Sequence, residues 1–219
     1  MHAFLSLLLA VGLCALTGCA KDPSKEAPSA TVGAVKEGPS KQEGSNTTSS
    51  QSVSLDGRVG FVGSKVTASH DGLFKDWKGT ATLGKTLEDS SVSFTVQVAS
   101  VVSDPDDRGA FSAKLDGHLK SGEFFDVANH PTAGFTSTQI AKSGTAGGSH
   151  SITGDLTIRG VTRSVTFPAT LEKTKTSLKA KAQFTINRKD WGIMYAGMAD
   201  DLIRDGVVLK LDLQGTLTP

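Results

Sequence analysis

Residues 154–171 read GDLTIRGVTRSVTFPATL. Apolar and polar side chains alternate on both sides of Arg159-Gly160, and successive side chains of a strand point to opposite faces. Leu156 and Ile158 therefore share a face with Val161, Val165 and Phe167 across a two-residue turn, so the stretch predicts a β-hairpin with one apolar side. That side either packs into a solid core or lines a cavity. Periodicity leaves the choice open.

The same period of two recurs along the chain. It places Val92, Phe94, Val96 and Val98 on one face, then Leu178, Ala180, Ala182, Phe184 and Ile186, then Val207, Leu209, Leu211, Leu213 and Leu217. Gly-rich or charged turns separate these runs and no long helical pattern intervenes, so residues 53–219 predict an all-β antiparallel domain, either a sandwich or a closed barrel. Between about 106 and 131 the alternation stops, and short helical turns ending at Pro131 fit better. Gly154, Ala169, Ala180, Ala182 and Gly215 interrupt the large aliphatics. Packed interiors hold few voids larger than a water, so these small residues either fit a barrel taper or leave space.

The 219 residues are 37% apolar and 21% charged, with a formal charge of +1, which suits one principal globular domain. Lys and Arg are interspersed with Asp and Glu, so no basic stripe exists for a phosphate backbone and a nucleic-acid partner is not expected. The run FLSLLLAVGLCAL, residues 4–16, is too short to span a bilayer as a mature helix and stands where a secretory signal belongs. It ends in LTGC, Leu16 to Cys19, which resembles the bacterial lipobox. Residues 1–18 are thus expected to be a lipoprotein signal, and Cys19 the lipidated first residue. Cys14 would leave with the signal, so the mature domain would hold no thiol for a disulfide or a nucleophile. Ala20 and Lys21 follow without an adjacent Asp, a pattern that in Gram-negative lipoproteins directs transfer to the outer membrane, facing the periplasm. Residues 20–52 carry three of the seven prolines and no aromatic residue. Such a segment buries little apolar surface, so residues 19–52 predict a lipidated Cys followed by a disordered tether with a reach of roughly 30 Å.

Four separated segments resemble the YceI-like domain, also called the polyisoprenoid-binding or lipocalin-like periplasmic family. They are GFVGSKVTASHDGLFKDWKG, HLKSGEFFDVANHPTAGFTST, ITGDLTIRGVTRSV, and FTINRKDWGI followed by DGVVLKLDL, in that order between residues 55 and 218. The resemblance implies an eight-stranded antiparallel lipocalin-like barrel around an elongated apolar cavity. That cavity would take the isoprenoid tail of a quinone or polyprenyl lipid, with no cofactor. Covering about 400 Å2 of tail is worth on the order of 10 kcal/mol relative to water, at roughly 25 cal/mol per Å2. The tail is already buried in a membrane, however, so transfer from bilayer to barrel is nearly neutral and the mouth sets selectivity.

The expected lining comprises Phe61, Phe94, Leu156, Phe167, Phe184 and Leu211, at apolar positions of the strands. Phe111, Phe124, Phe125 and Phe135 lie in or beside the irregular segment, where Glu123-Phe124-Phe125 cannot place both rings inward on a strand. At least one ring is expected to plug a cavity end. Arg163 interrupts the apolar face across the hairpin from Leu156, where it either meets a head group or lays its stem on apolar surface. Arg188 and Asp190 lie in the late motif, as a turn ion pair or beside the ligand. His70 and His118 fall on motif positions. The spacing of His70, His118, His130 and His150 makes no metal motif, and the chain has no nucleophile elbow, so neither a metal nor a catalytic residue is assigned.

Two functions stay in view. One is a lipid-anchored envelope protein that carries or sequesters an isoprenoid; the other is an envelope interaction module whose barrel is filled by its own side chains. A hydrolase using His70 with Asp71, or His118 with Asp116, is the weakest of the alternatives. The oligomeric state is left open, a homodimer being one option.

Overall fold

The structure, a computed structural model, describes residues 21–36, 51–144 and 147–217. The strands are β1 Thr31–Lys36, β2 Gln51–Ser64, β3 Ser69–Phe74, β4 Trp77–Leu83, β5 Ser91–Gln97, β6 Val101–Ser103, β7 Thr132–Lys142, β8 His150–Ile158, β9 Val161–Lys173, β10 Ser177–Asn187, β11 Gly197–Met198, β12 Asp201–Leu202 and β13 Gly206–Thr216. The only α-helix among the described residues is α1, Ser112–Lys120.

The β8–β9 hairpin forms as its sequence predicts. Arg159 and Gly160 have φ of 49° and 72°, the left-handed pair that a two-residue turn needs to match strand twist. Gly154 faces Val165 and Leu156 faces Arg163 across it. From this hairpin the sheet continues in both directions, through β7, β5 and β4 to β2 on one side and through β10 and β13 on the other. Pairing of β13 with β2, from Val208↔Val62 to Gln214↔Asp56, closes the ring. The result is an eight-stranded antiparallel barrel with neighbours in chain order.

One edge of β2 serves two partners. The lower half of β2, Gln51 to Leu55, pairs with β4, and its upper half, Val59 to Ser64, pairs with β3. Between them Gly57 takes φ 125°, where a Cβ would lie 2.0 Å from the Asp212 carbonyl oxygen; only glycine lets the strand bend there. Strand β6 adds to β3 outside the ring, and α1 packs Leu119 against Phe61 and Val101. Asp116 fastens this helix by accepting from Ser103 N (2.6 Å), Ser103 Oγ (2.7 Å) and Arg108 (2.9 Å).

The expected tether is corrected over residues 22–36. Strands β9 and β10 pair directly only at their lower ends, Thr170 to Lys173 against Leu178 to Lys181. Above that they part, and the N-terminal segment fills the split. Thr185 of β10 donates its N–H to the Pro28 carbonyl and accepts from Ala30 N–H, both at 2.9 Å, while β1 pairs antiparallel with β9 from Thr31↔Thr166 to Lys36↔Thr162. Ala30 and Val32 pack against the main core, and Ala27 is buried with Val62 and Val208 on the barrel's outer side. The segment's own apolar content is small, but two waiting strand edges supply the hydrogen bonds and the barrel supplies the apolar surface. Residues 37–50 and Cys19 lie outside the described residues.

Candidate ligand-binding cavity

The inward faces enclose two apolar voids, an upper one of about 140 Å3 and a lower one of about 60 Å3. Phe94, Phe135, Phe167 and Leu211 line both. The division between them is a ladder of rings from four strands. Centroids are 5.7 Å apart for Phe94–Phe135, 5.5 Å for Phe135–Phe167 and 4.0 Å for Phe167–Phe184, the last pair stacked at 10°. Such rings attract beyond their buried area, so the partition is a favourable contact and not an accident of packing.

The small residues divide in their effect. A Cβ on Gly154 would meet the Phe135 ring at 2.3 Å, and one on Gly215 would meet Val53 at 2.5 Å, so both glycines are filled from the side by larger neighbours. Ala169, Ala180 and Ala182 line the lower void, where nothing larger fills the gap they leave.

Of the expected lining, Phe61, Phe94, Phe125, Phe135, Leu156, Phe167, Phe184, Arg188 and Leu211 all border the upper void. Both rings of Phe124 and Phe125 reach it, because they lie on a turn after α1 and not on a strand. Phe125 meets Phe61 and Phe74 at 5.7 and 5.8 Å. Arg159 holds this plug to the β8–β9 turn, donating to the carbonyls of Gly122 (3.0 Å) and Phe124 (2.7 Å).

Two expected lining residues are elsewhere. Phe111 is 79% exposed at the N-cap of α1, one turn before the part of the helix that Asp116 and Leu119 tie to the sheet. Arg163 donates Nε to the Asp190 carbonyl (2.6 Å) and a terminal nitrogen to the Gly33 carbonyl (3.2 Å). It clamps the N-terminal strand instead of entering the bore.

Arg188 borders the void with 3% of its surface exposed. It donates to the carbonyls of Arg204 (3.1 Å), Ile193 (2.7 Å) and Ile203 (3.3 Å), and its ionic partner is Asp205 at 3.3 Å, not Asp190. Burial lowers its pKa from the free value and Asp205 opposes this. A planar five-donor fork suits this task of gathering several carbonyls. Arg188 therefore positions the loop from 193 to 205 over the upper void.

Trp191 carries no periodic signal in the sequence, since it lies in a 3-10 turn, Arg188–Trp191, outside any alternation. It is fully buried, lines the upper void and donates Nε1–H to the Leu156 carbonyl at 3.1 Å. Phe74, Ile186, Ile193 and Ile203 are among the other apolar wall residues. The polar side chains on it are Ser64, Arg188 and Arg204.

The histidines take other partners than a hydrolase would need. His70 Nδ1 pairs with Asp104 at 2.8 Å while Asp71 pairs with Lys210, and His118 Nε2 pairs with Glu123 at 2.5 Å between the rings of Phe124 and Tyr195. Burial works against the ionised Asp116 carboxylate, but the Ser103 hydroxyl and backbone N–H and the Arg108 guanidinium outweigh it and hold the group below the usual carboxylate range.

A closed antiparallel meander around an apolar bore, capped by a short helix, is the architecture of a lipocalin-like binding barrel. The YceI-like domain model matches residues 42–215, and the chain belongs to that family. It is 33% identical over 153 residues to a UPF0312 protein of Pseudomonas fluorescens, covering 66% of this chain and 72% of that protein. It is 40% identical over 101 residues to Protein YceI of Escherichia coli O157:H7, covering 46% of this chain and 48% of the relative, about half its length. Among solved structures, Burkholderia cenocepacia BcnA matches with a TM-score of 0.61 and 23% identity over 72% of this chain and 94% of that one. A polyisoprenoid binding domain from Saccharophagus degradans, implicated in plant cell wall breakdown, matches with a TM-score of 0.56 and 16% identity, covering 76% and 98%. At these identities the structures support the barrel fold.

Proposed function

We propose that the protein binds the tail of an isoprenoid lipid in the bore and carries or sequesters it in the bacterial envelope. The observation that carries this reading is the pair of apolar voids stacked in a barrel and separated by a single layer of rings and Leu211. An apolar cavity of about 150 Å3 takes a benzene, which has one carbon more than an isoprene unit. The upper void therefore seats roughly one unit with the rings as they stand. A longer tail reaches the lower void by turning Phe94, Phe135 or Phe167 aside, exchanging ring–ring for ring–tail contacts of similar dispersion energy. The membership of the family and the polyisoprenoid binding domain among the structural neighbours support the ligand class. The reading is of a binding protein and not an enzyme. In it Phe61, Phe94, Phe125, Phe135, Leu156, Phe167, Phe184 and Leu211 touch the tail, Cys19 carries the lipid anchor, and the protein faces the periplasm from the outer membrane. A quinone or polyprenyl head group rests near Ser64 and Arg204.

The ring ladder also favours a second reading, an envelope interaction module whose barrel stays filled. Mass spectrometry of protein purified from its native host separates the two: a co-purifying prenyl lipid supports the carrier. If the stripped protein takes up neither geraniol nor octaprenol from detergent, the carrier reading fails. Phe167→Leu, which shortens the partition and keeps it apolar, is expected to raise octaprenol uptake by a larger factor than geraniol uptake.

A further inference from the structure

Apart from Phe111 on α1, the large apolar side chains that the fold leaves exposed among the described residues gather at one end of the barrel. Met194, Met198 and Leu202 are 61%, 69% and 48% exposed, and Val66 39%. They stand on two loops joined to each other: Val66 N–H donates to the Leu202 carbonyl at 3.1 Å, Lys65 forms an ion pair with Asp201, and Lys65 bridges Ile203. The same loops wall the upper void with Ser64, Ile193 and Ile203. Inner and outer apolar residues are thus chain neighbours, Ile193 with Met194 and Ile203 with Leu202. The end of the bore has a rim that is apolar on both sides.

The N-terminal segment arrives at this rim. Asp22 pairs with Arg204 at 3.5 Å, and a Cβ on Gly206 would meet Ser24 Oγ at 2.5 Å. Cys19 precedes Asp22 by three residues, a span of at most about 11 Å at roughly 3.6 Å per residue. The described chain therefore enters the barrel beside Arg204 and Gly206, two residues along from Leu202, and the pairing of residues 28–36 with β10 and β9 fixes that orientation. A long flexible tether would have left it free.

We infer that this rim docks on a lipid bilayer, with the hairpin Gly197–Leu202 and the turn after Ser64 entering the head-group layer. Asp200 in the hairpin turn is exposed, so the contact is shallow, with apolar tips among head groups. Docked so, the upper void exchanges a tail with the membrane without passing it through water. The inference rests on the carrier reading for its purpose, while the docking itself is measured without a ligand.

The test is hydrogen exchange of the full chain, isolated from its envelope, with and without vesicles of phosphatidylethanolamine and phosphatidylglycerol. Vesicles are expected to suppress exchange in residues 64–69 and 193–203 and leave the opposite loops, 84–90 and 174–176, unchanged. The double variant Met198→Asp, Leu202→Asp alters exposed side chains only, so its thermal unfolding and its octaprenol uptake from detergent should match the parent while vesicle protection is lost. Protection at 84–90 or 174–176, or no protection anywhere, overturns the proposal. So does protection that appears without vesicles and grows with protein concentration, since a second copy would then be the occupant. Loss of octaprenol uptake in detergent by the parent chain would sink the carrier reading while leaving the docking result to stand.

Discussion

At the lower end of the barrel, Val53, Ala81, Leu83, Leu178 and Leu217 close the bore with side chains carried by the strands themselves or the residue just after. At the upper end the closing groups come from inserts: Phe124 and Phe125 after α1, Trp191 in its 3-10 turn, and the loop that Arg188 gathers. The lower closure is dispersion and apolar burial spread over many atoms. The upper one depends on a few directed hydrogen bonds to loop carbonyls. Closure from inserts is the kind that moves locally without unfolding the sheet, so the upper end is the one suited to admit a ligand.

The sharpest way to break this contrast is Arg188→Ala. Three carbonyls lose their donor, that of Ile193 in a buried contact, while Asp205 is partly exposed and keeps Lys189, so a cost of about 2–4 kcal/mol is expected in the unfolding free energy read from denaturant curves. Protease cleavage within 193–205 should rise as well, and Arg188→Lys, lacking the fork, should not restore it. At the other end Leu178→Ala should cost about 2–4 kcal/mol by leaving a cavity, with the susceptibility of the 193–205 loop unchanged.

Smaller effects sharpen the comparison. Asp116 has a folded pKa below its unfolded value, so its stabilisation is complete above the unfolded value, near 3.9, and is lost as pH falls through the folded one. Asp116→Asn should therefore cost about 1.5–3 kcal/mol at neutral pH, and denaturation curves should show a shallower loss of stability below about pH 4 than in the parent. Arg163→Ala removes two hydrogen bonds from the N-terminal clamp and should cost about 1–2 kcal/mol, read together with faster trypsin cleavage after Lys25.

The hairpin at 154–171 and the inner faces of β10 and β13 were legible because a strand's side chains alternate whatever surrounds them. The cavity residues on those strands followed directly. Arg163 obeys the same alternation and still leaves the bore, because Gly33 and Asp190, both distant in sequence, offer carbonyls that a charged group prefers to an apolar void. Phe111 leaves the bore for a related reason: in the irregular segment no period tells which ring faces the barrel. The composition of the N-terminal segment measures what the segment brings and not what β9 and β10 hold open for it.

The chain's residues alone determined an antiparallel β domain, its turn at Arg159-Gly160 and an apolar interior, since backbone sterics and side-chain alternation are local. Tertiary structure alone decided that Phe135 fills the space beside Gly154 while Ala180 and Ala182 leave theirs empty, that rings divide the bore, and that residues 28–36 fill the split between β9 and β10. Each of these depends on which distant side chain or strand edge stands opposite. Packing complementarity between residues far apart in the chain has no local signature.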